Sequence, residues 1–387
     1  MPPARIGTSA SVDGAAEAVP SDVMSTPTLV ETVGRTHLLN DVRTAIPAAC
    51  YERSRSRAIV ATIQAVLLYA APITALVLSD RWWVLAVCWP LAGLGVAGLF
   101  VLGHDASHGV LVRSPRANRL LARVLMAPSL HAEAAWDLGH NRIHHGYTTR
   151  QGFDFVWHPV TVEEYEAMGR LGRLRHRLEW SWAGSGAAFL RTVWWDKMWH
   201  FSPPGKRRAA IRRDKAVLAA SFGAVLGTTI TLAWLDGGPL HAVWLACRVL
   251  VVPFLIFIQI IGWTVYVHHV APDIRWWTRR EWTQFRGQME STTVLQIPAP
   301  LNVLWFHNIF VHVPHHVDTR IRFDHLPAAA AAIDAAYPDT VRTSRMSLRR
   351  YIADTRVCKL YDFEAGAWYG YPSARGPESS SARSRTA

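Results

Sequence analysis

Histidine is concentrated in three short segments of this 387-residue chain. Imidazole is the commonest metal-binding side chain, because it is neutral near pH 7 and can bind through either ring nitrogen. Eight of the eighteen histidines lie in these segments, here called boxes 1, 2 and 3: His104 and His108; His140, His144 and His145; His312, His315 and His316. Such clustering would rarely arise by chance, so the pattern predicts a metal site.

The spacing inside each box suits a helix. Box 1 has its histidines at positions i and i+4, and box 3 has them at i, i+3 and i+4. Residues at these separations lie on one helix face, so we expect the three imidazoles of box 3 to point the same way. Box 2 has the separations i, i+4 and i+5.

Four apolar stretches could position the boxes: residues 58–78, 82–102, 216–235 and 240–267. Each is long enough to cross a bilayer, which needs about 20 helical residues. Asp80-Arg81 and residues 236–239 form the turns between them. Box 1 follows the second stretch, and His268-His269 closes the fourth. The sequence therefore predicts an all-α integral membrane protein with four transmembrane helices and a helical cap that holds the metal site.

Charge predicts the orientation of these helices. The net charge is +12, and nearly all basic residues lie in segments 31–57, 104–215 and 271–356, whereas the two hairpin turns carry only Arg81. By the positive-inside rule, both termini and every box face the cytosol. No nucleic-acid-binding motif is visible, and anionic lipid accounts better for the basic charge. We expect a multi-pass protein of a bacterial cell membrane.

Composition agrees with membrane helices that carry a polar cap. The chain is 50% hydrophobic with 18 tryptophans, and its mean hydropathy is +0.09. Its four cysteines form no CxxC motif and no disulfide framework. We predict a flexible cytosolic tail over residues 1–56, a membrane domain over 57–330, and a cytosolic segment over 331–387 whose last part is disordered.

The boxes HDASH, HNRIHH and HVPHH resemble the histidine boxes of the membrane fatty acid desaturase family. Trp136, one helical turn before box 2, and Glu281-Trp282, after the fourth apolar stretch, also resemble that family. The run from Phe306 to His316 is closest to acyl-lipid desaturases that act on a chain already bearing a double bond. The resemblance covers about residues 57–326.

This resemblance implies two iron ions, with O2 as co-substrate. Nine ligands are expected: the eight box histidines and His269, with His268 and His307 as rivals for the ninth position. Zinc fits poorly because it has no redox chemistry. Box 2 carries one residue more than the family's commonest spacing. Further residues could bind metal or support a ligand: Asn308, Asp105 and His325, with Asp137 and Asp154 expected, like Asp105, to orient imidazoles.

The implied reaction is the oxygen-dependent removal of two hydrogens from neighbouring methylenes of a fatty acyl chain, giving a cis double bond and water. The acyl group could be linked to lipid, coenzyme A or a carrier protein. The chain has no Rossmann glycine pattern and no His-Pro-Gly-Gly haem motif, so a separate ferredoxin or cytochrome b5-type donor must supply electrons. Two alternatives remain open. One is a hydroxylase, acetylenase or carotenoid-type oxygenase on the same scaffold, and the other is a non-enzymatic zinc- or haem-binding membrane protein.

Overall fold

The computed structural model describes residues 38–372, which are mainly helical. The α-helices are α1 (Leu39–Ala45), α2 (Arg55–Leu78), α3 (Trp82–Ser107), α4 (Pro115–Met126), α5 (Glu133–Trp136), α6 (His145–Tyr147), α7 (Val162–Ala167), α8 (Arg170–Glu179), α9 (Ser185–Ala188), α10 (Arg207–Ala246), α11 (Val252–His269), α12 (His312–Val317), α13 (Leu326–Ala336) and α14 (Leu348–Val357). Segments with the wider π-helical turn are Asp137–His144, Phe189–His200, Cys247–Val251, Arg286–Glu290 and Leu301–Trp305, and 3-10 turns occupy Ala48–Tyr51 and Ala127–Ser129.

Four short strands complete the architecture. Strands β1 (Val294–Gln296) and β2 (Thr343–Arg345) pair in parallel, with Val294 opposite Thr343. Strands β3 (Leu360–Asp362) and β4 (Ala367–Tyr369) pair antiparallel, with Leu360 opposite Tyr369. The first pair ties the C-terminal part of the described chain to the rest of the fold.

Among the described residues, three helical stretches are long and apolar enough to cross a membrane: Arg55–Leu78, Trp82–Ser107 and Arg207–His269. The first two contain the first two predicted spans. They pack closely because residue 95 is glycine, where a Cβ would come within 2.7 Å of the Cα of Tyr69. The predicted third and fourth spans both lie inside the third stretch.

The third stretch is interrupted at Gly238. A straight helix of its 63 residues would be about 95 Å long, roughly three times the hydrocarbon thickness of a bilayer. Gly238 has φ 80° and ψ −172°, a conformation that is essentially restricted to glycine. The break falls in the turn predicted at residues 236–239.

The N-terminal prediction is wrong for part of its range. Residues 1–37 lie outside the described residues, but 38–56 include α1 and a 3-10 turn. Leu39, Val42, Ile46 and Cys50 are buried in one hydrophobic cluster with residues of α12 and α13. This apolar spacing makes residues 38–56 a packed segment rather than a flexible tail.

The C-terminal boundary also differs from the prediction. Helix α13 continues through position 330, and α14 with strands β3 and β4 packs beyond it. Trp368 and Tyr361 of this region are buried. The expected disorder concerned the end of the chain, where residues 373–387 lie outside the described residues.

Candidate metal centre

Four elements end at one place and bring the histidine boxes together. His104 lies in the last turn of α3 and His108 caps it, while box 2 occupies a π-helical segment and the start of α6. His269 ends α11, and box 3 forms most of α12. The ring nitrogens fall into two groups that share these elements.

The first group contains five imidazoles, those of His104, His108, His140, His145 and His315. Their Nε2 atoms converge. His104 Nε2 lies 2.9 Å from that of His140 and 3.2 Å from that of His108. His145 Nε2 lies 3.1 Å from those of His140 and His315. His108 and His140 are partly exposed, whereas His104 and His315 are buried.

The second group contains His144, His269 and His316, all buried. His312 adjoins it, because its Nε2 lies 3.0 Å from that of His316 and its ring centroid 5.2 Å from that of His269. His269 Nε2 is buried and has no hydrogen-bond partner among the described residues. The structure thus gathers all nine histidines predicted as ligands around two neighbouring points.

The π-helical turn explains the spacing of box 2. Residues Asp137–His144 form wider turns than an α-helix, and the amide of His145 donates to the carbonyl of His140 five residues before it. This turn places the rings of His140 and His145 together in the first group, while His144 turns to the second. The additional residue of the box is therefore absorbed by the wider turn.

Box 3 supplies both groups. Its three imidazoles, expected on one helix face, have ring centroids 4.5–5.7 Å apart, and His315 joins the first group while His316 joins the second. The reason is that α12 lies between the two groups, so neighbouring residues diverge while His312 and His316, one turn apart, stay together.

Polar groups fix the orientation of three imidazoles. His144 Nδ1 lies 3.1 Å from both carboxylate oxygens of Asp154, and His104 Nδ1 lies 3.4 Å from Asp105. A carboxylate can only accept, so each Nδ1 carries the proton. His316 Nδ1 likewise donates to Gln288 Oε1 at 2.7 Å. The Nε2 atoms of these three rings are therefore left with lone pairs directed into the groups.

Asp137 does not orient a histidine, which corrects the prediction. Its carboxylate accepts from Arg142 at 3.1 Å and from Asn141 at 3.4 Å, and it lies 3.5 Å from Arg207. Trp136 does contact box 2, since its ring stacks on His140 with centroids 4.4 Å apart.

The other candidate residues lie beside the groups rather than in them. His268 stacks on His312 with centroids 3.9 Å apart, and its Nε2 has no partner among the described residues. His307 packs near Phe323 at 5.4 Å. Asn308 donates to the carbonyl of Phe323, and His325 lies 3.8 Å from Asp324. Asn308 and His325 therefore contact the segment that follows box 3 and not the two groups.

Burial and crowding make these imidazoles poor bases. Burial lowers the pKa of His140, His145 and His315 well below the ordinary value, and neighbouring histidines lower it further. The pKa values of His312 and His316 are depressed for the same two reasons. The rings are therefore neutral at pH 7, the state in which imidazole binds a metal ion.

The donor set fits metal ions better than a network of hydrogen bonds. His104 Nε2, already deprotonated, faces two other imidazole nitrogens within 3.2 Å. Ligand nitrogens that share one metal at about 2.1 Å lie about 3.0–3.4 Å apart. Two such groups would hold two cations and relieve the convergence of lone pairs.

The fatty acid desaturase family model matches residues 80–347, a range that contains all three boxes and both groups. The chain belongs to the fatty acid desaturase family. It is similar to an sn-1 oleoyl-lipid 12-desaturase of Anabaena variabilis, with 26% identity over 85% of this chain and 91% of that protein. An enzyme with the same description from Synechocystis sp. is also 26% identical, over 85% of this chain and 90% of its own length. A chloroplastic omega-6 fatty acid desaturase of Glycine max is 25% identical over 84% of this chain and 74% of its own length.

Sequence reasoning missed two polar residues of this desaturase. Gln288 accepts from His316 and donates to the carbonyl of His145 at 2.5 Å, so it joins box 2 to box 3. Thr148 donates to the carbonyl of His144, and its Oγ1 lies 3.2 Å from His316 Nδ1. Neither lies in a recognisable motif, and only their position beside the boxes reveals them.

Proposed function

We propose that this desaturase introduces a cis double bond into a fatty acyl chain in an oxygen-dependent reaction at a di-iron centre. The observation that carries the proposal is the pair of adjacent histidine groups, whose Nε2 lone pairs converge in a member of this family. Nitrogen-rich groups of this kind suit a redox metal such as iron. When bound, iron would supply the activation of O2.

The two groups divide the nine proposed ligands. His104, His108, His140, His145 and His315 would hold one ion, and His144, His269, His312 and His316 the other. His269 is favoured as the ninth ligand because it belongs to the second group, whereas His307 lies outside both groups. His268 stacks on the outer side of a ligand ring and stays the weaker candidate.

The protein's own residues would orient the ligand imidazoles and exclude water from the site. Asp105, Asp154 and Gln288 hold the Nδ1 protons, which directs each Nε2 to the centre. Burial of the second group excludes water around it. Water exclusion favours hydrogen removal from an unactivated methylene, since it limits side reactions of the oxidising species.

The substrate proposal is a monounsaturated chain that gains a second double bond. It rests on the descriptions of the similar proteins, which are oleoyl-lipid 12-desaturases and omega-6 desaturases, and on the Phe306–His316 run. Four membrane spans, with the boxes on the cytosolic side, are part of this proposal. They rest on the break at Gly238 and on the charge asymmetry.

Metal analysis tests the centre. Purified protein should contain about two irons per chain if both groups bind one ion each. His269→Ala should lower the content toward one, whereas His307→Ala should leave it unchanged. Loss of iron from His307→Ala with retention in His269→Ala would contradict the assignment.

Product analysis tests the reaction. Expression in a bacterial host supplied with oxygen and a ferredoxin-type donor should raise a further desaturated acyl product, and His315→Ala should abolish it. Isotopically labelled oxygen should appear in water. A hydroxy-acyl product that carries the label as the major species would replace the desaturase proposal with the hydroxylase alternative.

A further inference from the structure

A basic and aromatic surface lies beside the second histidine group. It is formed by Arg150, Phe153, Arg279 and Trp282, which contact one another, and by the exposed Arg280 next to Arg279 in the chain. These residues are here called the Arg–Trp patch. The guanidinium of Arg150 lies 4.4 Å from the ring centroid of Phe153 and 5.3 Å from that of Trp282, and Arg279 lies 5.4 Å from Phe153. Phe153 is 41% exposed. The patch thus has an aromatic centre with a positive rim.

The positive charge of the patch is not neutralised within the described part of the chain. Arg279 and Arg280 are exposed, and none of Arg150, Arg279 and Arg280 forms an ion pair with another described residue. Arg150 Nε is buried there without a hydrogen-bond partner. Two acidic residues adjoin the patch in the chain, and both are engaged elsewhere. Glu281 is paired with Arg275 at 3.0 Å, and Asp154 faces His144 Nδ1 at 3.1 Å.

A short chain of contacts leads from this patch to a proposed metal ligand. Trp282 Nε1 donates to the carbonyl of Thr148 at 2.8 Å. Thr148 Oγ1 lies 3.2 Å from Nδ1 of His316, whose Nε2 faces the second group. Residue 287 is glycine, and a Cβ there would come within 2.8 Å of both the Thr148 carbonyl oxygen and Trp282 Nε1. The close approach of Trp282 to Thr148 therefore depends on Gly287.

The electron balance of the proposed reaction requires an external reductant. Removing two hydrogens from neighbouring methylenes yields two electrons and two protons. Reduction of one O2 to two waters takes four of each, so two electrons and two protons must come from elsewhere for each double bond. The sequence carries neither a Rossmann glycine pattern nor a His-Pro-Gly-Gly haem motif, so a partner protein is the expected source.

We propose that the Arg–Trp patch is the docking surface for an acidic one-electron carrier protein, with Trp282 and Thr148 on the route to His316. This inference rests on the proposed function, because only a redox centre needs such a partner. Redox partners form small transient interfaces, and opposite charge around an apolar centre speeds their encounter without tight binding. The patch offers that arrangement next to a ligand.

Stopped-flow reduction of the iron-loaded full chain in lipid nanodiscs tests the docking surface. The probe is a reduced plant-type [2Fe-2S] ferredoxin, and dithionite is the chemical reductant for comparison. Arg279→Glu/Arg280→Glu should slow reduction by ferredoxin by about tenfold or more at low salt, because electrostatic steering raises association rates by 10–1,000-fold. The dependence of the ferredoxin reduction rate on salt should weaken in this variant, while its iron content and its reduction by dithionite stay unchanged.

A matched variant controls for net charge. Arg170→Glu/Arg349→Glu removes the same charge from exposed positions on α8 and α14, and should slow reduction by ferredoxin less than twofold. If both double variants slow it equally, general charge and not the patch is responsible, and the inference fails. An unchanged rate of reduction by ferredoxin in Arg279→Glu/Arg280→Glu would also overturn the inference. So would a rate difference between this variant and the wild type that appears only when the nanodisc contains anionic lipid.

Trp282→Phe tests the route separately from docking. It keeps an aromatic ring but removes the N–H that donates to Thr148, so the first-order electron transfer at saturating ferredoxin should slow while the salt dependence remains that of the wild type. An unchanged first-order rate would remove Trp282 from the route. Failure of the proposed function looks different, since the wild-type protein would then give no acyl product with any reductant.

Discussion

At the scale of single residues, the orientation of the imidazoles depends on side chains that no histidine motif contains. Asp105 could be anticipated because it adjoins a box. Gln288 could not, because 143 residues separate it from the His145 carbonyl to which it donates. It is nevertheless buried, and it contacts a histidine of each group. Chemical type and spacing identified the histidines that the fold brings together, whereas a contact between distant segments depends on the fold.

Gln288→Leu should weaken iron binding. The change removes the closer acceptor of the His316 Nδ1–H and leaves only the more distant Thr148 Oγ1, at 3.2 Å. Loss of such a supporting group lowers metal affinity by about 10–100-fold. Gln288→Glu keeps an acceptor and should retain most of the affinity. Iron per chain after dialysis against a chelator measures the effect.

Gln284→Leu is the control, since residue 284 is exposed on the same connection. It should retain iron as the wild type does. Equal retention by Gln288→Leu would show that Gln288 does not position His316.

At the scale of elements, the sequence located the helices well and their local geometry poorly. The apolar stretches at 58–78 and 82–102 fall inside α2 and α3, because their length and composition leave few other structures. The π-helical turn of box 2 has no comparable signature, since it differs from an α-helix only in how the turn closes. The divergence of His315 and His316 could not be predicted either, because it depends on where α12 lies between its neighbours.

Deletion of Ile143 should be tolerated better than deletion of Ala106. The first removes one residue from a π-helical segment, which can tighten to α-helical turns and keep its histidines near the same faces. The second removes a residue from the α-helical box 1 and rotates His104 by about 100° relative to His108. The iron content of the two purified variants is compared. An equal loss of iron would show that the π-helical turn does not accommodate the additional residue of box 2.

Gly238→Ala should destabilise the protein by about 1–3 kcal/mol, because its φ and ψ lie in a region closed to other residues. Gly227→Ala is the control. It lies within α10, where a Cβ would meet no heavy atom within 4 Å, so the change should be neutral or slightly stabilising. Thermal unfolding in detergent measures both, and similar midpoints would contradict a requirement for glycine at the break.

At the scale of the whole molecule, the end of each long apolar helix determines where the chemistry can occur. Box 1 lies at the end of α3, and His269 lies at the end of α11. These histidines come together if both helices end on the same side of the membrane. Charge asymmetry predicted that common side from the sequence. The packing of residues 38–56 against α13 was not predicted, because a few apolar residues near a polar terminus give no sign of what they contact.

Reporter fusions test the proposed topology. A fusion after Asp236, next to the break, should report an external location, and one after Gly152, beyond box 2, an internal location. The two sites bracket the first half of α10. Matching locations for both fusions would exclude a membrane crossing there and would reduce the number of spans.

The location of box 3 on one six-residue helix has a consequence for biogenesis. Both groups take a histidine from α12, which lies more than 200 residues after box 1 in the chain. Synthesis proceeds from the N-terminus, so a nascent chain would insert its apolar helices with both groups still incomplete. If the two groups hold iron as proposed, it could be captured stably only after the ribosome has released residue 316. Newly made protein would therefore pass through an iron-free stage, and iron shortage should yield an inserted but inactive pool.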